Sequence, residues 1–175
     1  MNKFLYSLIA VTLSGIAVSS ITIAQQKRLP PVELRLTPYV EFLTSEDTTS
    51  LNVPFSEAVR VGNTLYLSGN IGNIPGKKQL VEGGIKAETK QAMENIKRVL
   101  ERNGSSFDKV FKCTVMLADI KEWGEMNQVY TTYFPKKRFP ARSAFATNGL
   151  ALGARTEITC MATVPVKETR RQGDE

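Results

Sequence analysis

The chain has 175 residues, a formal net charge of +6 and no histidine; apolar residues make up 42% of it and charged residues 23%. That length suits one domain with a real core, and the composition is that of an ordinary globular protein. The lack of histidine excludes Ser-His and Cys-His catalysis and most catalytic zinc sites, so any chemistry must rest on Arg, Lys, Asp, Glu, Tyr, Ser, Asn or Cys. The basic residues are scattered apart from Lys136-Lys137-Arg138 and Arg170-Arg171. They form no stripe of the kind a nucleic-acid interface uses, and no nucleic-acid partner is expected.

The chain opens Met1-Asn2-Lys3, then runs without charge and largely apolar from position 4 to Ala24. A basic start, an apolar stretch and a small residue before Gln25 predict a signal peptide over 1–24, cut after Ala24. A periplasmic or secreted protein follows, with no stable membrane association after cleavage. The alternative is an uncleaved anchor, since 21 uncharged residues just span a bilayer. Residues 25–52 have no clear period. Pro30-Pro31 breaks any helix, Val32-Glu33-Leu34-Arg35-Leu36 alternates like a short edge strand, and the polar run Ser45-Glu46-Asp47-Thr48-Thr49-Ser50 reads as a loop. The segment is read as a linker and N-terminal arm.

Ala58-Val59-Arg60-Val61 and Thr64-Leu65-Tyr66-Leu67-Ser68 flank Gly62-Asn63, which predicts a β-hairpin. The glycines at 69, 72 and 76 do not have phosphate-loop spacing, and the segment reads as a turn-rich loop. After Gly83-Gly84, the apolar residues Ala92, Met93, Ile96, Val99 and Leu100 recur at helical spacing, with Glu88, Lys90, Glu94, Lys97 and Arg98 on the other face. Gly104 suits the helix stop. A strand follows over Val110–Leu117. Asp119 with Glu122 predicts a capping box for a second helix, along which Trp123, Met126, Tyr130, Tyr133 and Phe134 form a core or subunit-contact stripe. Two last strands are predicted over 143–147 and 157–164, and a charged, mobile tail over 167–175. The two cysteines, Cys113 and Cys160, both sit in apolar alternating runs. They read as buried core thiols, or as a disulfide if the protein is exported.

The order β-β-α-β-α-β-β predicts an α+β domain, one sheet with both helices packed on one face. Within it, Phe139-Pro140-Ala141-Arg142-Ser143 places an arginine at the mouth of a strand, and Thr156-Glu157-Ile158 brings a carboxylate on the next. A guanidinium fork binds a carboxylate through two bonds, and a glutamate can orient a water. Those two roles are enough for a small hydrolase that needs no cofactor and no metal. The plain alternative is that Arg142 and Glu157 form a salt bridge, or that each serves another partner.

Over 53–166 the chain resembles the Rid/YjgF family of reactive-intermediate imine/enamine deaminases. The matching pieces are Pro54-Phe55-Ser56-Glu57-Ala58, Val61-Gly62-Asn63, Leu67-Ser68-Gly69, Asn127-Gln128-Val129-Tyr130, Phe139-Pro140-Ala141-Arg142-Ser143 and Glu157-Ile158, in the family's order. The resemblance implies a chorismate-mutase-like fold, a homotrimer and active sites in clefts between subunits. It implies that Arg142 binds the substrate carboxylate, that Glu157 orients water, that Asn127 completes the catalytic set, and that Ser68, Gly69 and Phe55 line the substrate site. The family's tyrosine is Phe55 here, which removes a hydroxyl, and a cysteine common two residues after the arginine is Ala144. The implied reaction is hydrolysis of small imino or enamino acids to 2-keto acids and ammonia, the partner being a small carboxylated imine or 2-keto acid. The other reading is a non-catalytic trimeric binding protein for a small carboxylated ligand.

Overall fold

The hairpin is the most local element of the fold. In the computed structural model, which describes residues 39–165, β2 (Ala58–Val61) and β3 (Thr64–Leu67) pair antiparallel with Val61 opposite Thr64. Gly62 takes the positive φ of 59° that the turn demands. Ahead of them lie β1 (Val40–Leu43) and α1 (Glu46–Ser50). After them come β4 (Asn70–Ile71), α2 (Gly84–Arg102), β5 (Val110–Leu117), α3 (Trp123–Tyr130), β6 (Ala141–Ala146) and β7 (Thr156–Thr163). The strands form one sheet in the order β1-β2-β3-β7-β5-β6, with β4 also paired to β7. Among the described residues only the β5–β6 ladder is parallel. The expected α+β architecture, a single sheet with few helices, is what the chain adopts.

Side chains alternate across a strand, and the burial follows that rule. Thr156, Ile158, Cys160 and Ala162 of β7 are buried, as are Cys113, Val115 and Leu117 of β5 opposite them. Against this face pack Ala92, Met93, Ile96 and Leu100 of α2, all fully buried, and Met126 and Tyr130 of α3. Each large apolar side chain so buried contributes about 1.5–3 kcal/mol. A second requirement is close approach of backbone to backbone: a Cβ on Gly72 would lie 2.6 Å from the Cα of Glu88, so glycine lets the segment after β4 press onto α2. The opposite face of the sheet is covered by no element among the described residues, and Val40, Phe42, Tyr66 and Phe145 stand exposed on it.

Several expectations need correction. Among the described residues the sheet has seven strands rather than five, because β1 and β4 were not anticipated. The arm contains an edge strand, β1, hydrogen-bonded along β2. The polar run at 45–50 is a short helix, not a loop: the Ser45 side chain accepts from the Thr48 backbone N–H, and Ser45 and Thr48 hydroxyls both donate to the Glu57 carboxylate. No capping box forms at α3. Asp119 caps a 3-10 turn through the Lys121 N–H, while Glu122 is drawn away into an ion pair with Arg155. Glu88 is no solvent cover, being buried and accepting from the Arg155 backbone N–H at 2.8 Å. The thiols of Cys113 and Cys160 are not free: the two residues face each other across β5 and β7, Cα atoms 4.1 Å apart, joined as a disulfide. The leader at 1–24, the alternating run at 32–36 and the tail from 166 lie outside the described residues.

Candidate active site

Arg142 and Glu157 belong to different faces of the sheet. In the parallel β5–β6 ladder Arg142 is in register with Cys113, so it shares the helix-covered face with Cys113, Val115 and Leu117. Glu157 alternates with the buried Thr156 and Ile158 and lies opposite Met116, so it points to the other face. Arg142 and Glu157 therefore do not meet within the chain. Among the described residues no salt bridge joins them, which also sets aside the structural ion pair between them.

Arg142 emerges at the sheet edge under α3. Its Nη1 donates to Asn127 Oδ1 at 2.5 Å. Its guanidinium carbon lies 4.8 Å from the centre of the Tyr130 ring and 5.7 Å from that of Trp123. Two turns of α3 thus supply three contacts, because positions 123, 127 and 130 fall on one face at helical spacing. The two rings attract the cation through their faces and hold its plane, while Asn127 occupies one nitrogen. The remaining N–H donors are left for another acceptor. Burial pushes the Tyr130 phenol up to about 12, with the Arg142 charge acting in the opposite direction. Its hydroxyl is buried without a hydrogen-bond partner among the protein atoms described.

Glu157 lines a cleft of about 400 Å³ together with Phe55, Ser68, Gly69 and Leu152. Gly69 is there by necessity: a Cβ at that position would lie 1.8 Å from Glu157 Oε1. The bend that carries Ser68 and Gly69 past β7 is fixed by Thr159, whose hydroxyl donates to Leu67 O at 2.6 Å. The Ser68 hydroxyl donates to Ser56 O at 2.7 Å, and its backbone N–H to Glu57 O at 3.0 Å. Phe55, half exposed, offers an apolar ring to the cleft. Glu157 has no hydrogen bond or ion pair to another described residue, so its carboxylate is available to a water or a ligand.

Of the six residues singled out from the sequence, four (Phe55, Ser68, Gly69 and Glu157) meet in the cleft, and two (Arg142 and Asn127) meet each other elsewhere. The cleft has a further wall that sequence reasoning missed. Asn95, Arg98 and Arg102 of α2 line it, with Lys77 and Lys78 from the loop after β4. The polar face of α2 read as solvent cover, and nothing local to it signals a cleft. Among the described residues no group of three His, Cys, Asp or Glu side chains is arranged to hold a metal ion.

This combination, an open α+β sheet with a glycine-backed glutamate at one edge of β7 and a helix-clamped arginine on β6, defines a class. The profile of the family described as Endoribonuclease L-PSP matches residues 47–164, and the chain belongs to that family, the Rid/YjgF family of the resemblance above. It is 45% identical over 109 residues to the human 2-iminobutanoate/2-iminopropanoate deaminase, a match covering 62% of this chain and 79% of the human one. Protein HMF1 of Saccharomyces cerevisiae is 40% identical over 127 residues, covering 73% of this chain and 94% of the yeast protein. Among solved structures, a conserved Rid-family protein of unknown function from Yersinia pestis, YyfA, superposes with a TM-score of 0.67 at 33% identity, over 72% of this chain and all of that one.

Proposed function

We propose that the chain hydrolyses small imino or enamino acids to 2-keto acids and ammonia. The observation that carries this reading is Glu157, a carboxylate without a protein partner in a cleft backed by Gly69. The 45% identity to a named imine deaminase supports the same chemistry. In the reaction the Arg142 guanidinium takes the substrate carboxylate through two charge-assisted hydrogen bonds. Glu157 holds a water against the C=N carbon and accepts a proton as oxygen attacks. Glu157 passes that proton to nitrogen, giving the carbinolamine, which then collapses: Glu157 takes the hydroxyl proton as the C=O forms and delivers it to nitrogen, the C–N bond breaks, and ammonia leaves with the 2-keto acid behind it. Holding the two reactants in place supplies much of the acceleration. No cofactor enters this sequence.

The two groups stand on opposite faces of one sheet, so the reading requires that Arg142 of one subunit meets the Glu157 cleft of the next. A homotrimer with three shared sites satisfies this. The exposed apolar residues Phe42, Tyr66 and Phe145 on the uncovered sheet face support burial between subunits. The reading also includes export to the periplasm or beyond after loss of residues 1–24; a disulfide between Cys113 and Cys160 suits an oxidising compartment. The test is a coupled assay, in which an amino-acid oxidase generates short-lived imino acids and the purified protein is asked to speed ammonia release. A protein that binds 2-keto acids but leaves the rate of ammonia release unchanged would be a binding protein, the reading that Phe55 in place of a hydroxyl-bearing ring favours.

A further inference from the structure

We propose that the wall of the cleft formed by Lys77, Lys78, Arg98 and Arg102 is a specificity subsite for a second acidic group, so that the substrates are imino acids with an anionic side chain. This rests on the deaminase reading above and names the substrate class of the same site. The cleft that contains Glu157 has a volume of about 400 Å³. A three-carbon imino acid has six heavy atoms, the volume of roughly four waters at ~30 Å³ each, less than a third of the cleft of the single subunit. A ligand that fills it reaches from Glu157 and Ser68 toward α2 and the loop after β4, where the charge is positive.

The charge there is a surplus. Four cations line the cleft; on their wall stand two carboxylates, Asp47 and Glu57, and the third carboxylate of the cleft is Glu157 itself. Arg102 uses its Nη2 on Glu57 at 3.2 Å and its Nη1 on Asp47 at 3.6 Å, and Arg98 reaches Asp47 at 4.0 Å. The two carboxylates thus fix the arginines and neutralise about half of the wall. Lys77 and Lys78 are exposed, and among the described residues their ammonium groups have no hydrogen bond or ion pair.

The lysines sit on a built turn rather than a loose loop. Lys77 N–H donates to Ile74 O and Ile74 N–H to Gln79 O, each at 2.9 Å. Asn73 Nδ2 donates to Lys77 O at 2.9 Å, and Gly76 takes the positive φ of 71°. Asn95 of α2 ties this turn to the helix that carries Arg98 and Arg102, donating to Ile71 O at 3.1 Å and Asn73 O at 3.0 Å. The lysine turn and the arginines are therefore held in one frame, set before any ligand arrives, which is what lets a charged wall discriminate between ligands. Apolar residues in the same cleft (Leu51, Val53, Phe55 and Leu152) suit a short methylene stem between the two acid groups.

The experiment compares imino acids of similar size and different charge, generated in place by oxidases from glutamate and from leucine, with the alanine-derived imine as the small reference. The expected result is a kcat/KM for the glutamate-derived imine at least tenfold above that for the leucine-derived one, shrinking as salt is raised. Lys77→Ser combined with Lys78→Ser should lower this ratio about three- to tenfold, and Lys77→Glu with Lys78→Glu should lower it further. The lysines are exposed, so these variants fold. Competitive inhibition by 2-oxoglutarate against 4-methyl-2-oxopentanoate gives the same comparison without turnover. Neutral imines hydrolysed as fast as the acidic one, or a ratio untouched by both double variants, would overturn the subsite and leave the deaminase reading standing. Failure to hydrolyse any imine would overturn both.

Discussion

Glu157 and Gly69 share one volume: the position of a Cβ on residue 69 lies 1.8 Å from Glu157 Oε1 and 2.8 Å from its Cδ. Substitution Gly69→Ala must therefore move the carboxylate. The displaced atoms are the far end of a side chain, not backbone, so the fold should tolerate the change with a loss of about 1 kcal/mol or less, whereas a water held by Glu157 would be misplaced. The expected outcome is ammonia release lowered about 100-fold, in line with the cost of a misplaced group, with little change in a urea unfolding midpoint. A variant that unfolds easily, or that keeps full activity, would contradict this use of the glycine.

A site shared between subunits predicts complementation. Arg142→Ala and Glu157→Gln should each be inactive as homotrimers. Unfolding and reassembling them together makes mixed trimers, each with one interface that joins an intact Arg142 to an intact Glu157. At equal amounts and random assembly, roughly a quarter of wild-type activity should return. Light scattering on the wild type should report three times the monomer mass. Mixtures that stay inactive although mixed trimers form would place both groups in the same subunit's site.

Tyr130 makes the fold sensitive to alkali. Its phenol is pushed up to about 12 from the ordinary 10, with burial the main cause. The folded state holds the proton more tightly than the unfolded chain, so this contribution to stability is complete below pH 10 and is lost as pH rises from 10 toward 12. Tyr130→Phe removes both the titration and a buried hydroxyl that has no partner. The expected result is a variant at least as stable at neutral pH and with a shallower alkaline decline, read from denaturation midpoints across pH. A steeper decline would contradict the sign.

The Cys113–Cys160 bridge closes a sequence separation of 47 residues, for which chain entropy gives a stabilisation of about 4 kcal/mol. Replacing both cysteines by alanine should lower stability by about that amount. Reductant should destabilise the wild type and leave the variant unaffected. Because Cys113 is in register with Arg142, activity in the variant also reports whether β5 holds the arginine in place. Equal stability with and without reductant would mean that the thiols are unpaired in solution.

Much of the frame was readable from local pattern. The apolar face of α2 runs Ala92, Met93, Ile96, Val99 and Leu100, and Gly104 ends it with a φ of 74°. The hairpin followed from alternation around Gly62-Asn63. What was missed depends on partners far along the chain. The helix at 46–50 has a Thr-Thr-Ser run of weak propensity, and the Thr48 hydroxyl, with that of Ser45 just before the helix, is anchored by Glu57, which also takes Arg102, 45 residues further on. Glu122 suited a capping box until Arg155 claimed it. Each cysteine looked like a core thiol because only the β5–β7 register sets one against the other. The site divided for the same reason: spacing identifies Arg142 and Glu157 as residues of interest, but which face each occupies depends on how β6 and β7 pair with β5.

The central claim, that Glu157 activates water on an imino acid, is tested most directly by Glu157→Gln in the coupled ammonia assay. The substitution keeps the shape and one hydrogen-bonding oxygen and removes the proton acceptor. Binding of a 2-keto acid product should persist, and ammonia release should fall by about 10²–10⁴-fold. Wild-type rates in Glu157→Gln, with the imine still consumed by the protein, would contradict the assignment.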